Sequence, residues 1–147
     1  MTTLHNILSD HESRTHATNT GTKIHALLQH VIIDKDVEQG DQRLIQKIKQ
    51  NSTITRFFTA AAKTEVPIAG FINGKFISRR IDRLLINHTN KQIDIIDYKT
   101  DTSRDNYIDN YRIQLREYAQ LLHKIYPSYS VNCYILWTHD FSLENII

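Results

Sequence analysis

The stretch IDIIDYK at residues 93–99 combines the apolar pattern of a buried β-strand with charged residues near its end. Alternation along a β-strand places on one face the side chains of Ile93, Ile95, Asp97 and Lys99. An apolar face thus ends in a carboxylate beside an ammonium, and burying either charge without a partner costs roughly several kcal/mol. The stretch therefore predicts one of two arrangements: a salt bridge at a strand end, or a metal-binding aspartate beside a lysine that orients a nucleophile.

The preceding strand supplies a second acid, because Asp82 interrupts the apolar run IDRLL at residues 81–85. If a turn at His88–Lys91 pairs the two strands, Asp82 lies opposite Asp97. Two opposed carboxylates repel each other, and a divalent cation between them removes that repulsion. Oxygen ligands favour Mg²⁺ or Mn²⁺ over zinc. Glu65, on the strand before, adds a third acid.

Two predicted helices complete the candidate site. The first runs from about residue 24 to 33, and His25 lies close to its apolar stripe, where a histidine is either a core or boundary residue or a ligand. The second helix, Tyr107–Ile125, places on one face the side chains of Tyr107, Tyr111, Gln114 and Tyr118. An aromatic stripe of this kind is typical of a core, but Gln114 within it needs a polar partner or solvent.

The order of the remaining elements predicts an α/β fold with a small mixed sheet of four or five strands flanked by helices. Further helices are expected near residues 41–50 and 54–62, a hairpin turn at Asn73-Gly74, and a buried strand at 131–138. The final segment, 141–147, is either an edge strand or a tail. Residues 1–20 predict a weak helix and a connector, and the whole of 1–147 is expected to be one domain.

Composition excludes several classes of protein. The 147 residues are 40% apolar, carry a formal net charge of +2, and include one cysteine, Cys133. One cysteine forms neither an internal disulfide nor a four-cysteine zinc or iron–sulfur site. No membrane helix or signal peptide is recognisable, which predicts a cytoplasmic protein without a membrane partner. Residues 70–76 lack the spacing and the hydroxyl of a phosphate-binding loop, so no ATP site is expected.

Taken in order, these residues resemble the RecB-type nuclease domain of the PD-(D/E)XK superfamily, found at the C-terminus of the AddA and RecB helicase–nucleases. The matching pieces are GTKIHALLQ at 21–29, TEVPI at 64–68, RIDRLL at 80–85, IIDYKT at 95–100 and YRIQLREYAQLL at 111–122. Any one motif is loose, but five in order over nearly the whole chain are specific. The resemblance implies a restriction-endonuclease-like core.

The resemblance also implies roles for individual residues. The metal, Mg²⁺ or Mn²⁺, would be held by His25, Asp82, Asp97 and the Tyr98 carbonyl. The catalytic residues would be Glu65, Asp82, Asp97 and Lys99, with Glu65 near this metal or a second one. Gln114 and Tyr118 would contact the DNA backbone or brace the lysine.

Cations near these motifs are candidate substrate contacts. Arg79 stands where the family often has a glycine, and it would either bind phosphate or narrow the site. Arg83 is one of several lysines and arginines around the site segments, which form either a phosphate-binding surface or an ordinary solvated one.

By resemblance, the function is metal-dependent hydrolysis of phosphodiester bonds in linear or single-stranded DNA, as an exonuclease or end-directed enzyme in DNA repair or recombination. A separately encoded helicase would be the partner, since the chain holds no motor. Branches of the family with an iron–sulfur cluster are excluded by the single cysteine. The alternatives are a restriction-like or junction endonuclease of the same superfamily, and a non-catalytic DNA-binding or assembly module.

Overall fold

A computed structural model describes residues 23–100 and 104–147, so the weak helix predicted for residues 1–20 lies outside the described residues. Residues 23–29 are helical and are called α1. The later elements are β1 (Ile32–Ile33), β2 (Glu38–Gln39), α2 (Gln42–Lys49), α3 (Ser52–Thr55), a 3-10 turn (Arg56–Phe58), β3 (Lys63–Ile72), β4 (Lys75–Asn87), β5 (Gln92–Lys99), α4 (Arg104–Ile125), β6 (Ser130–Trp137) and β7 (Ser142–Asn145).

Strands β3 to β7 form one mixed sheet in the order in which they occur along the chain. All neighbours are antiparallel except β5 and β6, which are parallel. Parallel neighbours need a long crossover, and α4 provides it. The predicted α/β fold, a small mixed sheet flanked by helices, is confirmed, and β7 forms the edge strand that was one of two expectations for the last segment.

The sheet separates two apolar cores, which explains why β5 is apolar on both faces. On one side α4 packs Leu115 and Leu122 against strand residues such as Ile95. On the other side α1, α2 and α3 cover Ile96 and Tyr98. The central strand is therefore buried over its whole length between residues 93 and 98, and any charge on it must be satisfied inside the protein.

Two helix predictions were too long. The helix expected to reach residue 33 ends at 29, because Ile32–Ile33 pair with Glu38–Gln39 as a two-residue ladder. β-branched side chains favour this extended conformation. The stretch 54–62 is not one helix but the short α3 followed by the 3-10 turn, which buries Phe57 and Phe58 against the sheet.

The β3–β4 hairpin has the predicted turn. Asn73 and Gly74 have φ values of +50° and +78°, and two positive φ angles are the requirement of the tight turn that continues the twist of both strands.

Among the described residues, no helix is long and apolar enough to cross a membrane.

Candidate active site

The site forms where the ladder between β4 and β5 stops. The last pair joins Arg83 to Ile96, and the next step of the same register sets Asp82 opposite Asp97, as the sequence predicted. No ladder pair forms there. Instead the backbone N–H of Tyr98 donates to Asp82 Oδ2 over 2.8 Å. The carboxylate thus supplies the acceptor that the ladder no longer provides.

Strand β3 is also irregular at this point. Glu65 lies opposite Asp82 in the register, but it is the only residue of Lys63–Ile72 without a ladder partner on β4, and its φ is +52°. That conformation costs a non-glycine residue roughly 1–3 kcal/mol. Ile81 and Leu84 both pack against the α4 core, although three residues apart they could not share a face of a regular strand. The three acids therefore meet where the sheet is interrupted.

Lys99 is held from three sides. Its Nζ lies 2.8 Å from Asp97 Oδ2 and donates to Gln114 Oε1 over 3.1 Å. The same nitrogen lies 4.2 Å from the centre of the Tyr111 ring, a cation–π distance. Because the side chain is only 17% exposed, its ammonium has little freedom to reorient.

Gln114 is held in turn by the rest of the α4 stripe. Its Nε2 donates to the Tyr118 hydroxyl over 2.7 Å, and that hydroxyl donates to the Arg80 carbonyl oxygen over 3.3 Å. Burial raises the pKa of Tyr118 far above its usual value, so the hydroxyl keeps its proton. Gln114 and Tyr118, two members of the predicted helix face, thus form a chain of hydrogen bonds that ends on Lys99.

His25 reaches the site from α1. Its Nε2 lies 3.1 Å from the Tyr98 carbonyl oxygen, and its Nδ1 lies 3.7 Å from Asp82 Oδ1. Burial lowers the pKa of His25, against the opposing attraction of the Asp97 carboxylate. The imidazole is therefore neutral at pH 7, the form in which histidine binds metal ions.

Asp97 and burial together disfavour the charged form of Asp82. Burial, and after it the repulsion by Asp97, raises the pKa of Asp82 to about 8. Asp97 Oδ2 is buried and has no donor in hydrogen-bond geometry, although Lys99 Nζ is close. A buried carboxylate oxygen without an aligned donor is costly, and a cation bound at this place would satisfy it.

The donor set fits a hard divalent cation only in part. Among the residues described, no three His, Cys, Asp or Glu side chains form a group that could enclose a metal ion. Mg²⁺, however, takes one or two carboxylates and completes its shell with water and phosphate oxygens. Asp82, Asp97 and the Tyr98 carbonyl meet that smaller requirement.

The structure corrects the predicted role of Arg83, which the sequence suggested as a substrate contact. Its side chain is 2% exposed, and the guanidinium donates to the Tyr98 hydroxyl and to the carbonyl oxygens of Phe57 and Leu28. It also stacks over the Phe58 ring at 4.2 Å. Every guanidinium nitrogen is thus engaged inside the protein, where arginine ties α1 and the 3-10 turn to the sheet.

The other predicted cation, Arg79, stays at the surface. Its side chain is 43% exposed, and Nη2 lies 3.2 Å from Glu117 Oε2 on α4. Arg80 beside it lies 3.8 Å from Glu65 Oε2. The stripe in the sequence predicts a core position for Tyr111 and gives it no contact with Lys99, whereas the structure places its ring against the Lys99 ammonium. Its place seven residues before Tyr118 on the same stripe was the signal for that contact.

A comparison with protein-family models agrees with this geometry. Residues 42–133, more than half of the chain, match the model of the PD-(D/E)XK nuclease superfamily. The chain belongs to that superfamily, whose members are nucleases that typically use Mg²⁺ or Mn²⁺. The matched region includes the three acids and Lys99 but not His25. No curated protein sequence matches the chain.

Replacing Arg83 tests its structural role. Arg83→Ala removes three buried hydrogen bonds, to the carbonyl oxygens of Phe57 and Leu28 and to the Tyr98 hydroxyl, so we expect the free energy of unfolding to fall by about 3 kcal/mol or more, measured by urea denaturation. Arg116→Ala, which removes an exposed arginine from α4, should change it by less than about 0.5 kcal/mol. An Arg83→Ala protein of unchanged stability that binds DNA weakly would restore the substrate role.

Replacing Asp82 tests the repulsion between the acids. The folded-state pKa of about 8 lies above the unfolded value of 3.8, so the folded protein loses stability as pH rises between these values. Asp82→Asn keeps an acceptor for the Tyr98 N–H and removes the charge. In EDTA at pH 8 we expect it to be more stable than wild type, by on the order of 2 kcal/mol, with the difference shrinking towards pH 4. Lower thermal stability of the variant at pH 8 would contradict this account.

Proposed function

We propose that this chain is a metal-dependent deoxyribonuclease of the RecB/AddA type that hydrolyses phosphodiester bonds at DNA ends or in single strands. The observation that carries the proposal is the placement of Lys99. It is held by Asp97 and Gln114 and immediately follows Tyr98, whose amide is bound by Asp82. A largely enclosed ammonium, 17% exposed, beside two opposed carboxylates suits a reaction in which negative charge builds up on a phosphate.

The residues that would hold the cation are Asp82, Asp97, His25 and the Tyr98 carbonyl. When bound, Mg²⁺ or Mn²⁺ supplies an acidified water and neutralises charge on the scissile phosphate. Glu65 is proposed to act close to this cation or at a second one. Its carboxylate lies on the neighbouring strand, opposite Asp82, and lines a cleft of about 320 Å³ together with His25, Ala26 and Gln29.

Lys99 is proposed to stabilise the negative charge that develops on the phosphoryl oxygens and to orient the attacking water. A cation does this efficiently only if it is already in place before the reaction. The chain of hydrogen bonds from the Arg80 carbonyl through Tyr118 to Gln114 provides that placement. These contacts support a bracing role for Gln114 and Tyr118, since Tyr118 is 2% exposed. Arg79, at the surface, remains a proposed phosphate contact.

The finer assignment rests on His25. It lies outside the matched part of the superfamily model, yet it meets the Tyr98 carbonyl and Asp82, as the histidine motif of the RecB-type domains implies. We accordingly propose a single nuclease domain that acts in the cytoplasm on linear or single-stranded DNA during repair or recombination. A separately encoded helicase is the proposed source of unwound strands.

A cleavage assay tests the proposal directly. Linear single-stranded, linear duplex and covalently closed circular DNA are incubated with the protein and Mg²⁺ or Mn²⁺. We expect the linear substrates to be degraded and the circles to survive. Cleavage of closed circles would favour a restriction-like or junction endonuclease. Failure to cleave any substrate would favour a non-catalytic DNA-binding or assembly module.

Lys99→Ala tests the proposed mechanism. We expect cleavage to fall by roughly a hundredfold to a thousandfold or more, while DNA binding measured by fluorescence anisotropy in EDTA stays within about twofold. Lys35→Ala, which removes an exposed lysine between β1 and β2, is the matched control and should cut at the wild-type rate. A Lys99→Ala protein that cuts as fast as wild type would show that the mechanism is wrong.

Gln114→Leu separates bracing from substrate contact. Loss of the acceptor for Lys99 should lower kcat by about tenfold to a hundredfold, as for other residues that orient a catalytic group, with little change in KM. Gln120→Leu, on the exposed side of α4, is the control and should leave both constants unchanged. A higher KM at unchanged kcat would mean that Gln114 contacts DNA instead.

A further inference from the structure

The tip of the β3–β4 hairpin exposes two phenylalanines side by side. Phe71 is 59% exposed and Phe76 is 58% exposed, and their ring centroids lie 5.4 Å apart with an angle of 64° between the rings. Single exposed apolar residues are ordinary, whereas two exposed rings in contact form a local aromatic patch that a ligand with a flat apolar face can cover. Within residues 23–100 and 104–147, none of the elements that cover the sheet buries this pair.

Both rings point away from α4. Phe71 and Phe76 are ladder partners, so they share one face of the hairpin. The opposite face is the one that α4 covers, because Ile72 packs into the α4 core and a Cβ atom at Gly70 would meet Leu121 of α4 at 2.8 Å. The two phenylalanines therefore lie on the side of the sheet where α1 is located, beyond the part that α1 covers.

The same face continues as an open strip from the phenylalanines to the active site. The next ladder pairs on it join Ala69 to Ser78 and Pro67 to Arg80, and all four residues are exposed. We call these four residues, with Phe71 and Phe76, the ribbon face. It ends where Arg80 Nη1 approaches Glu65 Oε2 at 3.8 Å. Six residue steps along a strand place Phe71 about 20 Å from Glu65.

The charge of this hairpin suits a polyanion. Residues 66–81 contain Lys75, Arg79 and Arg80 but no aspartate or glutamate. Lys124 of α4 adds a fourth cation beside the tip, where its Nζ donates to the Phe71 carbonyl oxygen. At its other end the ribbon face reaches the cleft beside Glu65 and His25. Lys75 and Arg79 lie on the face that α4 covers, where Arg79 pairs with Glu117, so the cation on the ribbon face itself is Arg80, between the aromatic pair and the acids.

We propose that the ribbon face binds single-stranded DNA, whose bases stack on Phe71 and Phe76 while Arg80 contacts its phosphates. Stacking on aromatic side chains needs unpaired bases, and it tolerates any sequence because every base has a π-face. A duplex presents its stacked bases only by their edges, so it would gain little from this surface. The proposal deepens the proposed nuclease function. It rests on that function in one respect, namely that the bound DNA strand leads from the phenylalanines to the acids.

Binding to a fluorescein-labelled oligothymidylate tests the proposal in EDTA, where no cleavage occurs. Phe71→Ala with Phe76→Ala should raise Kd by about tenfold or more. Phe71→Tyr with Phe76→Tyr keeps both rings and should bind within about twofold of wild type. Val37→Ala, at a residue 52% exposed near β2, is the matched control for loss of exposed apolar surface. An abasic oligomer with the same number of phosphates should bind the double-alanine variant and the wild type equally.

Three results would overturn the proposal. The first is an unchanged Kd for oligothymidylate in the double-alanine variant. The second is an equal loss for the abasic oligomer, which would indicate a backbone contact without stacking. The third is a wild-type dimer in light scattering that becomes monomeric in the variant, which would make the phenylalanines a contact between two copies of this chain.

The binding test is separable from the nuclease assay. Protein that binds oligothymidylate through the phenylalanines but cleaves no DNA would contradict the proposed nuclease function and leave the ribbon face intact. If the protein cleaves DNA and the double-alanine variant has the wild-type Kd for oligothymidylate, only the proposal for the ribbon face is contradicted.

Discussion

The arrangement of the site depends on the hydrogen bond from the Tyr98 amide to the Asp82 carboxylate. Tyr98 is fixed at each of its polar groups: the amide by Asp82, the carbonyl by His25 and the hydroxyl by Arg83. Its ring lies in the core beneath α1. Because neighbouring side chains of a strand point to opposite faces, fixing Tyr98 into one core presents Asp97 and Lys99 to the other. The position of the proposed catalytic lysine is thus a consequence of how its neighbour is buried.

This arrangement has a cost in stability. It opposes two carboxylates, gives Glu65 a left-handed backbone conformation and buries an Asp97 oxygen without an aligned donor. Surrounding packing must outweigh these penalties, and Arg83 contributes most visibly by joining three backbone or side-chain acceptors from different elements. Strain concentrated at one place, with regular packing around it, is common where a site must bind a charged group. In this protein the strain lies among the acids that would face a cation.

Local periodicity made part of the site predictable from sequence. The α4 stripe and the opposition of Asp82 to Asp97 follow from helical spacing and from one short turn, so both emerged in the structure. The burial of Arg83 did not follow, since its acceptors belong to Leu28 and Phe57, which are distant in sequence. The alternation of apolar and polar residues along β3 could not reveal the conformation of Glu65 either. The interruption depends on how β3, β4 and β5 pair with one another, which the sequence of one strand does not show. The early end of α1 was missed because β-branched residues fit helical spacing and strand pairing equally well.

The formal charge of +2 conceals a separation of roles along the sheet. The acids that would bind a cation lie where β3, β4 and β5 are irregular, whereas the hairpin beyond them carries cations without acids over residues 66–81. A phosphate approaching the acids alone would be repelled, so the substrate has to be held by something outside the site. The β3–β4 hairpin can do this, because α4 packs against one of its faces and leaves the other face open. On the two proposals made above, affinity for the strand and reactivity towards its phosphates would belong to different residues, joined by the continuity of β3 and β4.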